Sequence, residues 1–435
     1  MKIVMIMPGY VENYYCENCL RDNTLLRAFR ELGHDSLAVP LYMPPRFHEP
    51  DQQKSSGIFY GGINVFLQQK FSFFRKSPRM IDWLLDRPGL LRRAARQEHR
   101  TKAGDLGELT LSTLQGKRGR QVKELNRLVA WLKAYEVPDM VLLSNALLTG
   151  FVEAIKDALD VPVVCLLQDE DDFLDALPTA QRDLAWLVLQ GQTNYVDMFV
   201  AGSDYYANVM AKRLNLPDER LATLPFGLFP DDYCPGELRA SPPTVGYLSQ
   251  VRHEKGLDLL ADAFINLKKN PRLSGLRLRI AGDRKPERSV YMKDIVSNLD
   301  RCGLLGDVDV VHEFSREKRT EFLKTLTVLS VPQRQGEANG MYVLESLAMG
   351  VPVVQPNNGV FPEWIEKTGG GVIIEADNVN SLAVGLEKLL LDPEQAAQLG
   401  RLGRQKIIEN FDAIQGAREM SETFEEVIKK HHGRK

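Results

Sequence analysis

The sequence predicts an α/β protein with two doubly wound parallel sheets, on the basis of its length, its alternating pattern and a strong linker signal. The chain has 435 residues, which is more than one hydrophobic core usually serves. Short apolar runs typical of buried strands alternate with helical patterns in both halves, and this alternation is typical of parallel sheets with crossover helices. Proline and glycine cluster between residues 225 and 243, which predicts a linker between two domains.

Five apolar runs in the first half predict strands, at 3–7, 36–40, 141–143, 163–167 and 198–201. Helices are expected between them, for example at 20–32 and 146–159. A stretch of about 90 residues, 45–135, falls outside the simple alternation and is expected to be an insertion near the ligand-binding face of the first domain. Within it, helical patterns fill 79–96 and 120–135.

Six runs in the second half predict strands, at 244–248, 276–281, 308–311, 328–331, 351–355 and 371–374. We therefore expect an N-terminal domain over residues 1–235 and a second domain over 240–410. Ligands of doubly wound sheets bind outside the carboxyl ends of the strands. The sequence thus predicts two Rossmann-like domains that face a central cleft.

Composition excludes several classes of protein. Apolar residues make up 44% of the chain and charged residues 26%, which excludes a disordered chain, a collagen-like repeat and a disulfide-stapled mini-protein. No run approaches the ~18 apolar residues of a spanning helix. The first residues are too short for a signal peptide and end at Pro8-Gly9. We expect a cytoplasmic protein.

Positive charge is concentrated between residues 75 and 133. This segment holds 15 Lys and Arg against 6 Asp and Glu, a formal charge of +9, so the rest of the chain carries −12. Such a basic segment predicts an anionic partner, either the inner membrane surface, bound peripherally, or a charged acceptor. A solvated helix face is the alternative interpretation.

Five cysteines, an odd number in a large chain, favour reduced thiols over a disulfide framework. Only Cys16 and Cys19 lie close in sequence, and no second pair or spaced histidines complete a zinc site. Two small residues in a tight loop is the favoured interpretation. A redox pair at a helix start is the alternative.

The most informative motif runs from Val331 to Val354 and contains two glutamates with seven residues between them. Glu337 precedes a predicted helix and Glu345 lies one turn inside it, while Gly340 allows a close turn at the helix start. Free amide groups at a helix N-terminus suit an anion or a polar sugar edge. Both carboxylates can accept hydrogen bonds from the hydroxyls of one extended ligand.

This motif resembles the E-x7-E signature of glycosyltransferase family 4, which comprises retaining enzymes of the GT-B fold. The resemblance implies that Glu345 holds the ribose hydroxyls of a nucleotide-sugar donor and that Glu337 contacts the transferred sugar. The amides of Asn339, Gly340 and Met341 would assist Glu337. It also implies that the last helix, within residues 411–435, crosses back onto the first domain.

A second segment fits the family pattern that follows the first strand of the donor domain. Lys255 and Gly256 match its Lys-Gly pair, whose lysine neutralises the donor pyrophosphate in the family. Gln250 stands where the family has an arginine, and glutamine supplies no charge. Arg252 is the candidate replacement, with a solvent-facing Arg252 as the competing interpretation. The resemblance thus gives Glu337, Lys255 and Arg252 catalytic roles.

Further residues are assigned by resemblance and topology. Gly9 and Tyr10 stand in the loop that approaches donor and acceptor in the family, although this loop has only one glycine. Gln168 replaces a family histidine and, with Asp169, is expected on the acceptor side. The base pocket is expected to include Glu313 and Phe314.

An acidic run at 169–172 permits a rival interpretation. A D-x-D motif after a strand binds a divalent metal in GT-A glycosyltransferases. That fold leaves the second domain unexplained, and acidic residues at a helix start are the favoured interpretation. Glycine-rich motifs of dehydrogenases and of P-loop proteins are absent.

The sequence therefore predicts a retaining transfer of a sugar from a nucleotide diphosphate sugar to an acceptor hydroxyl, on a glycan, a lipid-linked glycan or a small molecule. No metal, no other cofactor and no nucleic acid is expected. Two alternatives stay open. One is a catalytically weakened protein that binds nucleotide sugar as a binding or scaffold module. The other is a GT-B-like epimerase or phosphorylase.

Overall fold

The computed structural model describes residues 1–9, 14–42, 103–236, 242–313 and 315–433. The predicted helix at 79–96, most of the predicted insertion and part of the predicted linker lie outside these ranges. The chain divides into two compact units. The first comprises residues 1–10, 22–225 and 416–435, and the second comprises 11–21 and 226–415.

The first unit contains a parallel sheet of six strands in the order β2-β1-β3-β4-β5-β6. Its strands are β1 Lys2–Met7, β2 Asp35–Pro40, β3 Met140–Leu143, β4 Val163–Leu166, β5 Met198–Ala201 and β6 Leu221–Thr223. The five strands predicted from apolar runs are confirmed. They read as continuous apolar runs because helices cover both faces of a parallel sheet, so that nearly every strand residue is buried.

Seven α-helices of the described ranges precede the second sheet. They are α1 Glu17–Glu31, α2 Ala103–Leu114, α3 Val122–Tyr135, α4 Val152–Leu159, α5 Glu170–Asp175, α6 Thr179–Gln192 and α7 Asp204–Leu214. The helix predicted from residue 146 begins with a 3-10 segment, Ala146–Phe151, and becomes α-helical at Val152. Helix α1 begins in residues that cluster with the second unit and ends in the first.

The second unit contains a parallel sheet in the order β12-β11-β10-β7-β8-β9. Its strands are β7 Thr244–Leu248, β8 Arg277–Ala281, β9 Val308–Val311, β10 Val328–Leu329, β11 Val353–Pro356 and β12 Gly371–Ile374. This is the strand order of the Rossmann fold, with its direction of progression reversing between β7 and β10. The predicted α/β class with two doubly wound sheets is confirmed.

Helices alternate with these strands as crossover connections. The crossover helices are α8 Leu257–Leu267, α9 Val290–Arg301, α10 Arg316–Lys324, α11 Met341–Ala348 and α12 Phe361–Thr368. After β12 the chain continues in α13 Val379–Leu391 and α14 Pro393–Asn410. The last helix, α15 Ala413–His432, lies mostly in residues that cluster with the first unit. Among the described helices, none has the length and apolar character needed to cross a bilayer.

Candidate active site

The strand order of the second unit identifies where a ligand site is expected. Adjacent crossovers leave opposite faces of the sheet at the point between β7 and β10, which opens a crevice at the carboxyl ends of these two strands. Lys255 follows β7, and Glu337 follows β10. The topology therefore brings together two residues that lie 82 positions apart in the sequence.

Lys255 lies at the end of a short 3-10 turn, and Gly256 forms the N-cap of α8. Gly256 has a φ of +71°, and a Cβ atom there would lie 2.0 Å from the carbonyl oxygen of Pro332. Only glycine fits this combination of backbone angle and close approach. Glycine is therefore required directly after Lys255, and the turn that it forms fixes the position from which the lysine side chain extends.

The ammonium group of Lys255 is buried against two acceptors. Its Nζ atom donates to Glu337 Oε2 at 2.5 Å and to Gln333 Oε1 at 3.0 Å. Lys255 is 6% exposed and Glu337 only 1%. Water screens such a pair poorly, so the ion pair interacts more strongly than one on the surface, and removing one partner leaves a costly buried charge.

The loop that holds Glu337 is built by close backbone approaches. The backbone carbonyl of Glu337 accepts a hydrogen bond from the Val360 amide at 3.0 Å. A Cβ atom at Gly359, whose φ is +58°, would lie 2.2 Å from the Glu337 nitrogen. The side-chain amide of Asn358 donates to the carbonyl of Gln333 at 2.9 Å. The 358–360 loop thereby positions both partners of Lys255.

Helix α11 begins beside this pair. Gly340 is its N-cap with a φ of +59°, and the amide of Met341 donates to Glu17 Oε2 at 2.7 Å. Asn339 is 3% exposed, and its side-chain oxygen has no hydrogen-bond partner among the described residues. The helix N-terminus expected to face the donor therefore holds a carboxyl group of the chain itself, that of Glu17.

The environment of Glu17 opposes its ionisation. Burial, together with the negative charge of Glu337, raises the pKa of Glu17 to about 8, although Lys255 acts in the opposite direction. An uncharged carboxyl group is therefore the dominant form of Glu17 near neutral pH.

Glu345, the second glutamate of the motif, is fully buried and accepts hydrogen bonds from three side chains of the chain. Oε1 of Glu345 accepts from Tyr233 Oη at 2.8 Å and from Arg319 Nε and Nη2 at 3.0 and 2.9 Å. Oε2 accepts from Tyr15 Oη at 2.6 Å. Two of these donors are hydroxyl groups, the chemical type that a ribose presents to a carboxylate.

The side chains that bond to Glu345 have pKa values shifted so that they stay protonated. Burial and then the charge of Glu345 raise the pKa of Tyr15 and of Tyr233 well above the usual value. Burial opposes the charge of Arg319, yet the adjacent Glu345 raises the pKa of its guanidinium. The carboxylate therefore has a permanent cationic partner.

Other predicted donor-side residues lie outside this bonded group. Arg252 is exposed, three positions before Lys255, and Gln250 is half-buried, with its carbonyl accepting from Tyr247 Oη at 2.7 Å. Glu313 is exposed. Phe314 lies outside the described residues.

In the first unit, Gln168 is buried beyond β4. Its side-chain amide donates to Ser144 Oγ at 3.3 Å, while its side-chain oxygen has no partner among the described residues. Asp169 has a φ of +48° and is the N-cap of α5. Gly9, half-buried beyond β1, has a φ of +116°. Tyr10 lies outside the described residues.

The acidic run after β4 supports the local backbone. Glu170 accepts from the amides of Ala146 and Gln168, both at 2.7 Å, and lies 2.9 Å from Tyr206 Oη. Burial raises the pKa of Glu170 to about 7 despite these bonds. Within the described ranges, no group of three or more His, Cys, Asp and Glu is arranged to hold a metal ion.

The expectation of reduced thiols at Cys16 and Cys19 is wrong in this structure, because the two side chains form a disulfide. The residues lie three positions apart at the start of α1, where the helical turn brings their Cα atoms to 5.3 Å. This separation is within the range that a disulfide spans. The other three cysteines form no disulfide, and Cys165 is buried whereas Cys234 and Cys302 are exposed.

Sequence reasoning missed five residues of the site, namely Tyr15, Glu17, Tyr233, Arg319 and Gln333. Gln333 lies within the motif that runs from Val331 to Val354, so the sequence could have identified it as a candidate site residue. The two tyrosines and Arg319 reach Glu345 from distant segments that show no spacing signal.

The glycosyl transferases group 1 family model matches residues 235–406. This match contains Lys255, Glu337 and Glu345 together with the strand order just described. Residues 235–406 are therefore similar to glycosyltransferase group 1. The predicted resemblance to glycosyltransferases is therefore confirmed, and family 4 is consistent with this match.

Two curated mannosyltransferases resemble the chain over part of its length. It is 28% identical over 189 residues to the lipopolysaccharide core biosynthesis mannosyltransferase LpsB of Rhizobium meliloti, a match covering 42% of this chain and 52% of that protein. It is 27% identical over 205 residues to the GDP-mannose-dependent alpha-(1-6)-phosphatidylinositol monomannoside mannosyltransferase of Mycobacterium tuberculosis, covering 43% and 51%. The matches thus span about half the length of these relatives.

A solved structure shows the same fold over nearly the whole chain. Sucrose-phosphate synthase from Thermosynechococcus elongatus superimposes with a TM-score of 0.73 and 16% identity, covering 99% of this chain and 100% of that one. At this identity, the likeness shows the fold alone. The predicted GT-B fold class is confirmed.

Proposed function

We propose that this protein transfers a sugar from a nucleotide diphosphate sugar to an acceptor hydroxyl, with retention of configuration and without a metal ion. The observation that carries the proposal is the buried pair of Lys255 and Glu337 at the carboxyl ends of β7 and β10. The pair lies within the residues that match glycosyltransferase group 1. The name of the mycobacterial relative, which includes GDP-mannose dependence, supports a nucleotide sugar as donor.

Lys255 is proposed to stabilise the leaving group. When the bond between the sugar and the diphosphate breaks, negative charge develops on the diphosphate oxygens. Gln333 and Glu337 hold the ammonium group in place before the reaction, so little reorganisation is needed. The donor diphosphate would compete with these two acceptors for the three N–H bonds of Lys255.

Glu337 and the start of α11 are proposed to orient the transferred sugar. A carboxylate accepts hydrogen bonds from sugar hydroxyls, and free amides at a helix N-terminus donate to oxygen atoms. Glu345 is proposed to hold the ribose hydroxyls in place of the tyrosine hydroxyls that bond to it in this structure.

In the proposed transfer, the acceptor oxygen attacks the same face of the sugar from which the diphosphate leaves. The departing phosphate oxygen takes the proton of the acceptor hydroxyl. The protein then contributes positioning and charge stabilisation. Retention rests on the E-x7-E resemblance, and a glycan, a lipid-linked glycan or a small molecule fits the acceptor role.

The test is transfer by the purified protein from labelled UDP-, GDP- and ADP-sugars to a panel of acceptors. We expect Lys255→Ala to lower kcat/KM by about 30- to 1000-fold, the equivalent of about 2–4 kcal/mol of transition-state stabilisation. Glu337→Gln should also lower it. Lys388→Ala, which removes an exposed lysine on α13, is the matched control and should behave as wild type.

Two further readouts test the finer parts of the proposal. The product anomer, determined by NMR, should have the configuration of the donor, and a chelator should leave the rate unchanged. Folding of each variant is checked by circular dichroism. The proposal is wrong if Lys255→Ala and Glu337→Gln both transfer sugar at the wild-type rate, while binding of nucleotide sugar without any turnover would favour the scaffold alternative.

A further inference from the structure

A short segment that leads into α1 and includes its first residues packs on other residues of the second unit. This segment, residues 14–19, is named the strap here. Tyr14 forms an isolated antiparallel bridge with Asp283, and the Tyr15 amide donates to the Gly282 carbonyl at 2.6 Å. These backbone contacts fix the strap beside the end of β8.

Two side chains of the strap bond to groups that the proposed donor site needs. Tyr15 Oη donates to Glu345 Oε2, and Glu17 Oε2 accepts from the Met341 amide. An amide has a single N–H bond to donate, so an oxygen of a bound donor can take the Met341 amide only after Glu17 leaves it. Tyr15 similarly occupies Oε2 of Glu345, whose Oε1 already accepts from Tyr233 and Arg319.

A disulfide encloses Glu17 within the strap. Cys16 and Cys19 are bonded, which closes a ring of four residues directly after Tyr15. The ring restricts the backbone that carries Glu17 and stabilises the bonded arrangement by limiting the alternatives. Cys16 is half-buried and Cys19 is 5% exposed, so Cys16 is the sulfur that an external thiolate can approach more readily.

The position of Cys16 also favours exchange. Its Sγ atom accepts a hydrogen bond from the Cys19 amide at 3.2 Å, at the N-terminal end of α1. Free amides and the positive end of the helix dipole stabilise a thiolate in this position. A thiolate that is stabilised in this way leaves readily when a second thiol attacks a mixed disulfide at Cys16.

We propose that Cys16–Cys19 is a redox site whose reduction frees the donor site from the strap. The effect of reduction on donor binding rests on the proposed function, whereas the thiol–disulfide exchange itself does not depend on it. A dithiol, either a small molecule or a protein, is the reductant. Oxidation of the strap closes the site, and reduction opens it.

The exchange step is balanced in atoms and electrons. One thiolate of the reductant attacks Cys16 Sγ, the bond between Cys16 and Cys19 breaks, and Cys19 leaves as a thiolate that takes a proton. The second thiol of the reductant then attacks the mixed disulfide and releases Cys16. The strap gains two electrons and two protons, and the reductant becomes a disulfide.

The test uses the full chain with Cys234→Ser and Cys302→Ser, which removes the two exposed free cysteines. Treatment with dithiothreitol, then alkylation and mass spectrometry, should show two additional thiols in the folded protein. Hydrogen exchange at the Met341 amide should become at least 10-fold faster on reduction. Affinity for UDP or GDP, measured by titration calorimetry, should increase at least 10-fold.

Two sets of variants separate the redox step from its consequence. In the same background, Cys16→Ser with Cys19→Ser should bind nucleotide as the reduced protein does, with no response to dithiothreitol. Tyr15→Phe with Glu17→Ala, which removes both side-chain hydrogen bonds of the strap, should bind more tightly than the parent while the disulfide is intact.

The outcomes distinguish this inference from the proposed function. Equal nucleotide affinity and equal Met341 exchange in both redox states would overturn the strap as a gate and leave the proposed function standing. A failure of dithiothreitol to release two thiols from the folded protein would overturn the redox site. Faster Met341 exchange on reduction, with no nucleoside diphosphate bound in either state, would support the gate and contradict the proposed function.

Discussion

Glu345 shows how distant residues determine the state of one carboxylate. Tyr15, Tyr233 and Arg319 all bond to it, although Tyr15 lies 330 positions away in the sequence. The E-x7-E spacing identified Glu345, because helix position and motif are local properties. Its partners could not be predicted, because tertiary packing alone brings them together and no local pattern marks them.

Glu17 gives a pH-dependent contribution to stability. Its folded-state pKa of about 8 lies above the ordinary value of 4.5, so the folded protein retains a proton that the unfolded chain loses. The contribution is therefore fully present below about pH 4.5 and is lost as pH rises towards 8. We expect Glu17→Gln, which cannot ionise, to reduce this loss.

The measurement is the free energy of unfolding by urea at several pH values between 5 and 8.5. Wild type should lose more stability across this window than Glu17→Gln does. Glu31→Gln is the control, since Glu31 lies on an exposed part of the same helix, in an i,i+4 pair with Arg27. Parallel pH profiles for wild type and Glu17→Gln would contradict the assigned environment of Glu17.

At the level of elements, the parallel strands were the most predictable part of the fold. Apolar residues dominate these strands, so 244–248, 308–311 and 371–374 were predicted with the observed bounds. Of these, β7 is buried throughout, whereas β9 and β12 lie at the edges of the sheet and are mostly half-buried. Helix starts were harder. Helix α1 begins at Glu17 rather than at residue 20, because the turn enclosed by the disulfide contains polar residues that give no periodic signal.

A substitution in the loop before α12 tests how closely the backbone packs around Glu337. Gly359→Ala adds a Cβ atom 2.2 Å from the Glu337 nitrogen at a φ of +58°. We expect it to lower the free energy of unfolding by about 2–4 kcal/mol, from left-handed backbone strain and overpacking together. It should also weaken nucleotide binding, because Glu337 is displaced.

Gly303→Ala is the matched control for this prediction. Gly303 has a φ of +69°, but an added Cβ atom would meet nothing within 4 Å. Backbone strain alone should then cost about 1–2 kcal/mol. Equal destabilisation by the two variants, measured by urea unfolding, would show that the Gly359 contact with Glu337 is not restrictive.

The whole molecule consists of two units, each built on a parallel sheet of six strands. Strand order alone directs attention to the carboxyl ends of β7 and β10, and the lysine and glutamate of the sequence motifs meet there. The same reasoning could not predict that residues 11–21 cluster with the second unit. This grouping depends on contacts that the strand pattern does not encode.

The basic segment 75–133 gives a prediction about partners, although residues 75–102 lie outside the described ranges. We expect peripheral contact with anionic membranes, since the segment carries a formal charge of +9. In flotation assays, the protein should be enriched on anionic liposomes at low ionic strength and released at about 0.5 M salt, because salt screens charges.

Two controls accompany the flotation assay. Neutral liposomes should not enrich the protein, and replacing Arg92, Arg93 and Arg96 by glutamate should reduce its enrichment on anionic liposomes. An absence of enrichment at low ionic strength would remove the membrane from the list of partners and leave a charged acceptor or a solvated helix face.

The central claim is that the ammonium group of Lys255 binds the diphosphate of a donor. One comparison of affinities tests this claim most directly. Titration calorimetry on the reduced protein would measure binding of UDP against UMP and of GDP against GMP, for wild type, Lys255→Met and Lys388→Ala. We expect wild type and Lys388→Ala to bind one diphosphate at least 10-fold more tightly than its monophosphate, and Lys255→Met to lose that preference. A Lys255→Met protein that is folded and retains the full preference would contradict the account.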